Sequence, residues 1–419
     1  MSADVALVAL VVVLFALISK RIGPTVISGP MVFVAAGLLL GPEVADTVDL
    51  GLELEAVDLL GEFTLAILLF SDASRIDTRA LRREYMLPAR LLGIGLPLSV
   101  ALGTGVLMLL IADVGVWEAA LIAAILAPTD AALGQEVVTD RAVPARIRQG
   151  LNVESGLNDG LVVPAVALFL ALAVDEEDTG SAGFWTRFVF EQIGVALVVG
   201  LIVGAVGAWL LNTATERDWM DPLYAQLATF ALAVGALTAS VHFDGNGFIA
   251  AFVAGMTFGH LANEAEHLAE FTEDTAQLAA AVSFFVFGNV LLGPALDDVS
   301  VGIIVCAVAA LTLGRIMPVA VAMVGTKAAP PTILFVGWFG PRGLASILFG
   351  LQLLEEDLPG ADDLFAVVAW TVLFSVVLHG ATAAWGARRY GAWWADMSED
   401  EKTEMPEGLE TTEQRPRRM

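Results

Sequence analysis

The 419-residue sequence predicts an all-α membrane protein of about thirteen transmembrane helices. Three observations lead there. Apolar residues make up 57% of the chain, and the mean hydropathy is +0.76. Apolar runs of roughly 17–25 residues, each long enough to cross a ~30 Å hydrocarbon core, recur from end to end. Lys and Arg gather in alternate connections, as they do on the cytoplasmic side of multi-pass proteins.

The first run, VALVALVVVLFALI, has no basic residue before it and no small-residue cleavage site after it, so it is expected as a retained span and not a signal peptide. The spans fall near 4–20, 24–41, 56–72, 87–112, 115–134, 150–173, 186–212, 222–241, 245–262, 275–296, 300–325, 331–355 and 363–390. Basic residues follow spans one (Lys20, Arg21), three (Arg75, Arg79, Arg82, Arg83), five (Arg141, Arg146, Arg148), seven (Arg217), eleven (Lys327) and thirteen (Arg388, Arg389). The even-numbered ends carry EVADTVDLGLELEAVD, DEEDTG, LDDVS and EEDLPGADD, with only Arg187 among them. This bias places the N-terminus outside and the C-terminus in the cytoplasm of a cell-membrane protein. The single cysteine, Cys306, excludes an intramolecular disulfide and any cysteine metal cluster.

Much of the net charge of −26 lies in the outer loops and in the tail DMSEDEKTEMPEGLETTEQRPRRM. Nucleic acid is excluded as a partner, and the acidity points to a salt-loving host in which carboxylate-rich surfaces stay solvated. The chain therefore divides into a transmembrane unit, 1–395, and an acidic tail, 396–419, expected to be disordered and cytoplasmic.

Internal repeats are visible. VAAGLLLG (Val34–Gly41) in span two and FVAGMTFG (Phe252–Gly259) in span nine share A-G-x-x-x-G at an offset of 218. Seven spans separate them, so the copies point in opposite directions. An offset of 212 pairs APTDAAL (Ala127–Leu133) in span five with FGPRGLA (Phe339–Ala345) in span twelve, both interrupted by Pro or Gly, and sets Asp130 opposite Arg342. Inverted repeats with broken helices at matching positions mark the substrate site of a secondary transporter.

The stretch LNVESGLNDG places Glu154, Ser155, Asn158 and Asp159 just before a long apolar run. At ~100° per residue they lie at about 0°, 100°, 40° and 140°, on one side of a helix. Polar groups at membrane depth are costly and carry function by default. Carboxylate, hydroxyl and amide oxygens are hard ligands that suit a small hard cation. In span five Pro128 frees backbone carbonyls near Thr129, and Asp130 can sit at the N-terminus of the following half-helix. Arg342 needs a carboxylate partner at membrane depth, and Glu154 is the expected one. Asp159 is then the least compensated acid, free to alternate between a proton and a cation.

The segments APTDAALGQEVV, VPARIRQGLNVESGLNDG, GNGFIAAFVAG and GWFGPRGLASILFGL resemble the NhaP-type sodium/proton antiporters of the monovalent cation:proton antiporter-1 family. The resemblance extends over nearly the whole membrane region in the same order, and the ND pair with an upstream TD is quite specific. It implies an NhaA/NhaP-like fold: thirteen helices in two inverted six-helix repeats, with helices five and twelve broken. The core bundle would comprise about 87–173 and 300–390 and the dimerisation part about 1–72 and 222–296, with a linker helix at about 186–212. It implies Asp159 as the carboxylate that binds cation or proton and Asn158 as its neighbour. Thr129, Ser155 and Glu154 are implied as ligands, Asp130 as the acid of the broken helix and Arg342 as the partner of Glu154. The implied activity is exchange of sodium or lithium for protons by a homodimer that is not an enzyme and needs no cofactor, with potassium as the alternative cation. One departure concerns Thr129: many relatives read TDP, whereas Ala131 follows Asp130 here, so the break leans on Pro128.

Glu62 and Asp72 flank span three and are expected in packing or interfacial roles; Arg315 in span eleven is expected to snorkel or to pair structurally. His260 and His267 are expected to be solvated at an inner helix end. Two other classes compete. An intramembrane aspartyl protease would use Asp130 and Asp159 as a dyad, but lacks GxGD around Asp159 and has no need of Arg342. A cation channel requires no inverted pair of broken helices.

Overall fold

Thirteen helical spans follow one another along the described residues of the computed structural model, which are 2–22, 25–48, 50, 54–75, 86–112, 114–174, 188–297, 299–355, 358 and 360–397. The DEEDTG segment, Arg79, Arg82, Arg83, Arg187 and the tail from 398 onward lie outside them. In order they are α1 (Ser2–Ile22), α2 (Gly29–Leu40), α3 (Leu54–Ser74) and α4, from Met86 to Leu110 through a π-helical turn at Leu91–Gly95. Next come α5a (Val116–Ile125), α5b (Ala131–Thr139), α6 (Ala145–Val174) and α7, from Phe188 to Glu216 and π-helical over Phe188–Val195. Then follow α8 (Pro222–His242), α9 (Gly247–Leu261) and α10, from Glu270 to Asp297 with a π turn at Phe287–Leu291. The last are α11, from Val301 to Ala322 with a break at Thr312, then α12a (Pro330–Trp338), α12b (Leu344–Glu355) and α13 (Ala361–Ala395). Eight of these spans (α1, α4, α6, α7, α8, α10, α11 and α13) are long and apolar enough to cross a hydrocarbon core by themselves. The chain is a multi-pass membrane protein.

The breaks in α5 and α12 have local causes. Pro128 has no N–H to donate and pushes Ala127 away from helical geometry. Gly340, Pro341 and Gly343 interrupt α12 in the same way. No proline after Asp130 is needed, since α5b begins directly at Ala131.

The repeated A-G-x-x-x-G pattern has one structural use in both copies. In α2, a Cβ on Gly37 would collide with the carbonyl oxygen of Phe285 on α10; in α9, a Cβ on Gly255 would collide with that of Phe70 on α3. Small residues let these backbones touch, as in other membrane helix pairs. The α2–α10 contact is thus the inverted counterpart of the α9–α3 contact. Helices α4, α5, α6, α11, α12 and α13 pack with one another, as do α2, α3, α7, α8, α9 and α10. The two groups meet where α6 lies against α3 and α9, where α12b lies against α3 and α10, and where α13 lies against α2 and α10.

Candidate functional site

The two interrupted segments, 126–130 and 339–343, meet at the crossing of α5 and α12. The N–H of Asp130 donates to the carbonyl of Pro341 (2.7 Å). The carboxylate of Asp130 accepts from both following half-helices: Oδ1 from the N–H of Leu133 in α5b and Oδ2 from that of Leu344 in α12b, each at 2.9 Å. One acid therefore caps two helix N-termini, whose partial positive charge favours an anion. At the opposite pole, Arg342 Nη1 donates to the carbonyls of Ala127 (2.6 Å) and Pro128 (2.8 Å), which the break releases beyond the C-terminus of α5a. A cation is favoured there for the converse reason. Ser346 Oγ donates to the carbonyl of Ile125 (2.8 Å), and the N–H of Arg342 donates to Ser375 Oγ on α13 (2.6 Å).

Against this crossing α6 presents its polar residues. Asn158 Nδ2 donates to Thr129 Oγ1 (2.7 Å), and the hydroxyls of Thr129 and Ser155 are hydrogen-bonded at 2.9 Å. Thr129 and Asn158 are each 1% exposed; Ser155 and Asp159 are half-buried. With its amide nitrogen engaged, Asn158 leaves Oδ1 buried without a hydrogen-bond partner, and Asp159 Oδ1 is in the same condition. The cluster of Thr129, Ser155 and Asn158 therefore holds one unpartnered acceptor oxygen, and the next residue of α6, Asp159, carries a second. Charged groups that act on Asp159 are Asp130 and Asp72, of its own sign, and Arg342, of the opposite sign.

The expected pairing of Glu154 with Arg342 is not what the structure contains. Glu154 is held by Arg315: Nη1 donates to Oε1 (2.5 Å) and Nη2 to Oε2 (2.7 Å), with both side chains buried. The reason is spatial. Arg342 is engaged by the carbonyls of the α5 break, while Arg315 follows the break at Thr312, where φ is −106° and ψ is −84°. Gly340 makes room for it, since a Cβ there would fall on Arg315 Nε. Both oxygens of Glu154 thereby accept from Arg315. Two further residues, Ser375 and His379, bind the crossing from α13; their one-turn spacing inside an apolar run was the available signal. His260 is exposed, and His267 is an exposed partner of Glu270 at 3.2 Å.

A family model described as "Sodium/hydrogen exchanger, transmembrane" matches residues 6–388. The chain belongs to the sodium/hydrogen exchanger family. Among relatives in this family, a protein named K(+)/H(+) antiporter NhaP2 from Shewanella sp. (strain MR-4) is 25% identical over 385 residues, covering 91% of this chain and 66% of that protein. One named Probable Na(+)/H(+) antiporter C3A11.09 from Schizosaccharomyces pombe is 24% identical over 405 residues, covering 84% and 51%. The chain thus spans just under two thirds of the length of the Shewanella relative and about half that of the yeast one. The fold is shared with the sodium proton antiporter MjNhaP1 from Methanocaldococcus jannaschii at pH 8, with a TM-score of 0.74 and 20% identity over 90% of this chain and 99% of that one.

In this member of the sodium/hydrogen exchanger family the crossing is cross-tied by backbone, carboxylate and guanidinium, and it fixes Thr129 beside α6. The donor set offered there comprises two hydroxyls, one amide oxygen and one carboxylate. Such a set suits a hard cation of low charge, since neutral oxygens outnumber anionic ones.

Proposed function

We propose that the protein is a secondary active transporter that exchanges a monovalent cation, sodium or lithium, for protons across the cell membrane by alternating access. The observation that carries this reading is the unpartnered, buried Oδ1 of Asp159, next along α6 to Asn158, whose amide is tied through Thr129 and Ser155 to the meeting point of two broken helices. Asp159 binds either the cation or the proton. Asn158 offers its free Oδ1, while Thr129 and Ser155 supply hydroxyl or carbonyl oxygens. Asp130 does not ligate in this scheme, since its carboxylate caps α5b and α12b. That engagement also argues against a protease dyad of Asp130 and Asp159. Glu154 and Arg315 form a neutral structural pair.

With Glu154 neutralised and Asn158 uncharged, one titrating group remains at the cluster, so exchange is one-for-one and moves no net charge. Competition of proton and cation for one carboxylate gives a rate optimum in pH: protons displace the cation on the acid side, and too few protons are carried on the alkaline side. The alternation of basic connections supports an external N-terminus and a cytoplasmic C-terminus. A homodimer built through the α1–α3 and α8–α10 part belongs to the same reading. Potassium is the second cation to test, because the Shewanella relative is named a K(+)/H(+) antiporter.

Reconstituted protein in pH-gradient vesicles, given sodium, lithium and potassium in turn, tests the proposal. The expected result is cation-dependent proton movement that Asp159→Asn abolishes while the variant stays folded and monodisperse. Cation-dependent exchange retained in Asp159→Asn would overturn the site; flux that ignores an imposed proton gradient would favour a channel.

A further inference from the structure

Arg342 is held at both of its ends, and α13 supplies one of the holds. Its guanidinium reaches the carbonyls of Ala127 and Pro128, and its N–H donates to Ser375 Oγ at 2.6 Å. Ser375 is 0% exposed, and His379, one turn further along α13, is 1% exposed. His379 Nδ1 lies 3.1 Å from both Oγ and O of Ser375. The indole of Trp338, last residue of α12a, covers the imidazole with ring centroids 5.0 Å apart, and its Nε1 donates to Thr382 Oγ1 (3.0 Å).

Two observations give this arrangement a purpose. Thr371 and Thr382, also on α13, donate their hydroxyls to the carbonyls four residues back, of Val367 and Leu378, the usual use of a hydroxyl in an apolar helix. Ser375 instead is engaged by Arg342 and His379. A carbonyl oxygen only accepts, so the imidazole proton sits on Nδ1 and is shared between O and Oγ of Ser375, while Oγ also accepts from the N–H of Arg342. Second, the other flank of Arg342 borders a small cavity of about 30 Å³ between α4, α5a, α11 and α13, lined also by Ser99, Ala127 and Cys306. Arg342 Nε has no hydrogen-bond partner. On that side no hydrogen bond holds the guanidinium, and the tie through Ser375 fixes the residue from its backbone.

We propose that Ser375 and His379 are positioning residues of the cation site. His379 orients the Ser375 hydroxyl, Ser375 fixes the backbone of Arg342, and Arg342 sets the carbonyls of Ala127 and Pro128 and hence the adjacent Thr129. Neither residue touches the ion. The inference rests on the reading of Thr129, Ser155, Asn158 and Asp159 as the cation site.

The test uses full-length protein with four substitutions: Ser375→Ala, Ser375→Thr, His379→Asn and His379→Gln. Cation-driven proton movement in vesicles gives apparent KM and maximal rate for sodium and for potassium; cation-dependent thermal stabilisation in detergent gives a midpoint concentration independent of transport. Ser375→Ala is expected to raise both the KM and the midpoint about 3–10-fold, the worth of one oriented hydrogen bond, with the maximal rate within about twofold. Ser375→Thr restores the hydroxyl and the wild-type values. His379→Asn keeps a polar group where Nδ1 stood and stays close to wild type, whereas His379→Gln, which reaches toward the Nε2 position, behaves like Ser375→Ala. An unchanged KM and midpoint in Ser375→Ala, a loss of maximal rate alone across all four variants, or identical behaviour of the two His379 variants overturns the relay. If Ser375→Ala is not recovered folded, the His379 pair decides. If wild-type protein moves no protons, the transport reading falls, and the thermal midpoints still decide whether the relay sets cation binding.

Discussion

The buried pair of Arg315 and Glu154 gives the sharpest quantitative test. The two-pronged geometry, with N···O distances of 2.5 and 2.7 Å, sets the charge centres about 4 Å apart, worth about 4 kcal/mol at the effective dielectric constant of ~20 that suits protein sites. Deleting one member of such a pair strands the other charge and costs about 3–5 kcal/mol. Arg342 also acts electrostatically on Glu154, which places Arg315→Ala toward the lower end of that range. For a chain of 419 residues, an unfolding entropy of about 2.1 cal/mol/K per residue converts this to a fall in Tm of about 3–6 °C. Thermal unfolding in detergent of Arg315→Ala, Glu154→Ala and the double variant closes a cycle. The double variant should recover most of the loss, because replacing both partners leaves no orphan charge. The reasoning fails if Glu154→Ala recovers the loss caused by Arg342→Ala but not the loss caused by Arg315→Ala. That outcome would restore the pairing that the sequence alone favours.

Asp130 should act as a double cap: Asp130→Ala is expected to cost about 2–4 kcal/mol of stability and Asp130→Asn about half as much, since the amide keeps one acceptor oxygen. Equal melting temperatures for wild type and Asp130→Asn would argue against it. Gly340→Ala would place a Cβ on Arg315 Nε and 3.0 Å from Thr129 Cγ2, so it should lower Tm about as far as Arg315→Ala and raise the apparent KM for the cation; wild-type values for both would count against the packing described. For charge stoichiometry, sodium-driven proton flux at a clamped potential of zero and of about ±100 mV should be the same, because an electroneutral cycle does not feel the ~2.3 kcal/mol that one net charge would. A sign-dependent change in flux rules out one-for-one exchange.

The sequence exposes some layers of this molecule and hides others for physical reasons. Hydropathy and length mark eight of the spans outright because a hydrocarbon slab selects on composition and length, which are local properties, and the shorter or broken spans follow from the apolar runs between connections. The breaks at 126–130 and 339–343 are legible because Pro128, Gly340, Pro341 and Gly343 act on their own backbone. The grouping of Ser155 and Asn158 follows from helical spacing, and the structure joins both to Thr129. The partner of Glu154 is different in kind. Arg315 stands 161 residues away, and its side chain reaches Glu154 through a break at Thr312 and a gap left by Gly340. The repeat alignment singles out Arg342, yet it says nothing of the carbonyls that occupy that guanidinium. The π-helical turns of α4, α7 and α10 have no compositional mark at all.

The double attachment of Asp130 constrains how the protein can move. The crossing is stitched by at least five contacts, from Asp130 to Pro341 and Leu344, from Arg342 to Ala127 and Pro128 and from Ser346 to Ile125. Opening it locally would break several of these in a medium without water to replace them. Displacing α5, α6 and α12 as one block breaks none. The seam for such a displacement runs where α6 meets α3 and α9, and at the second contact the ring of Phe252 occupies the space that a Cβ on Gly160 would take. A side chain at position 160 would have to push that ring aside, so Gly160 sets how closely α6 and α9 approach while the contacts of the crossing stay as they are.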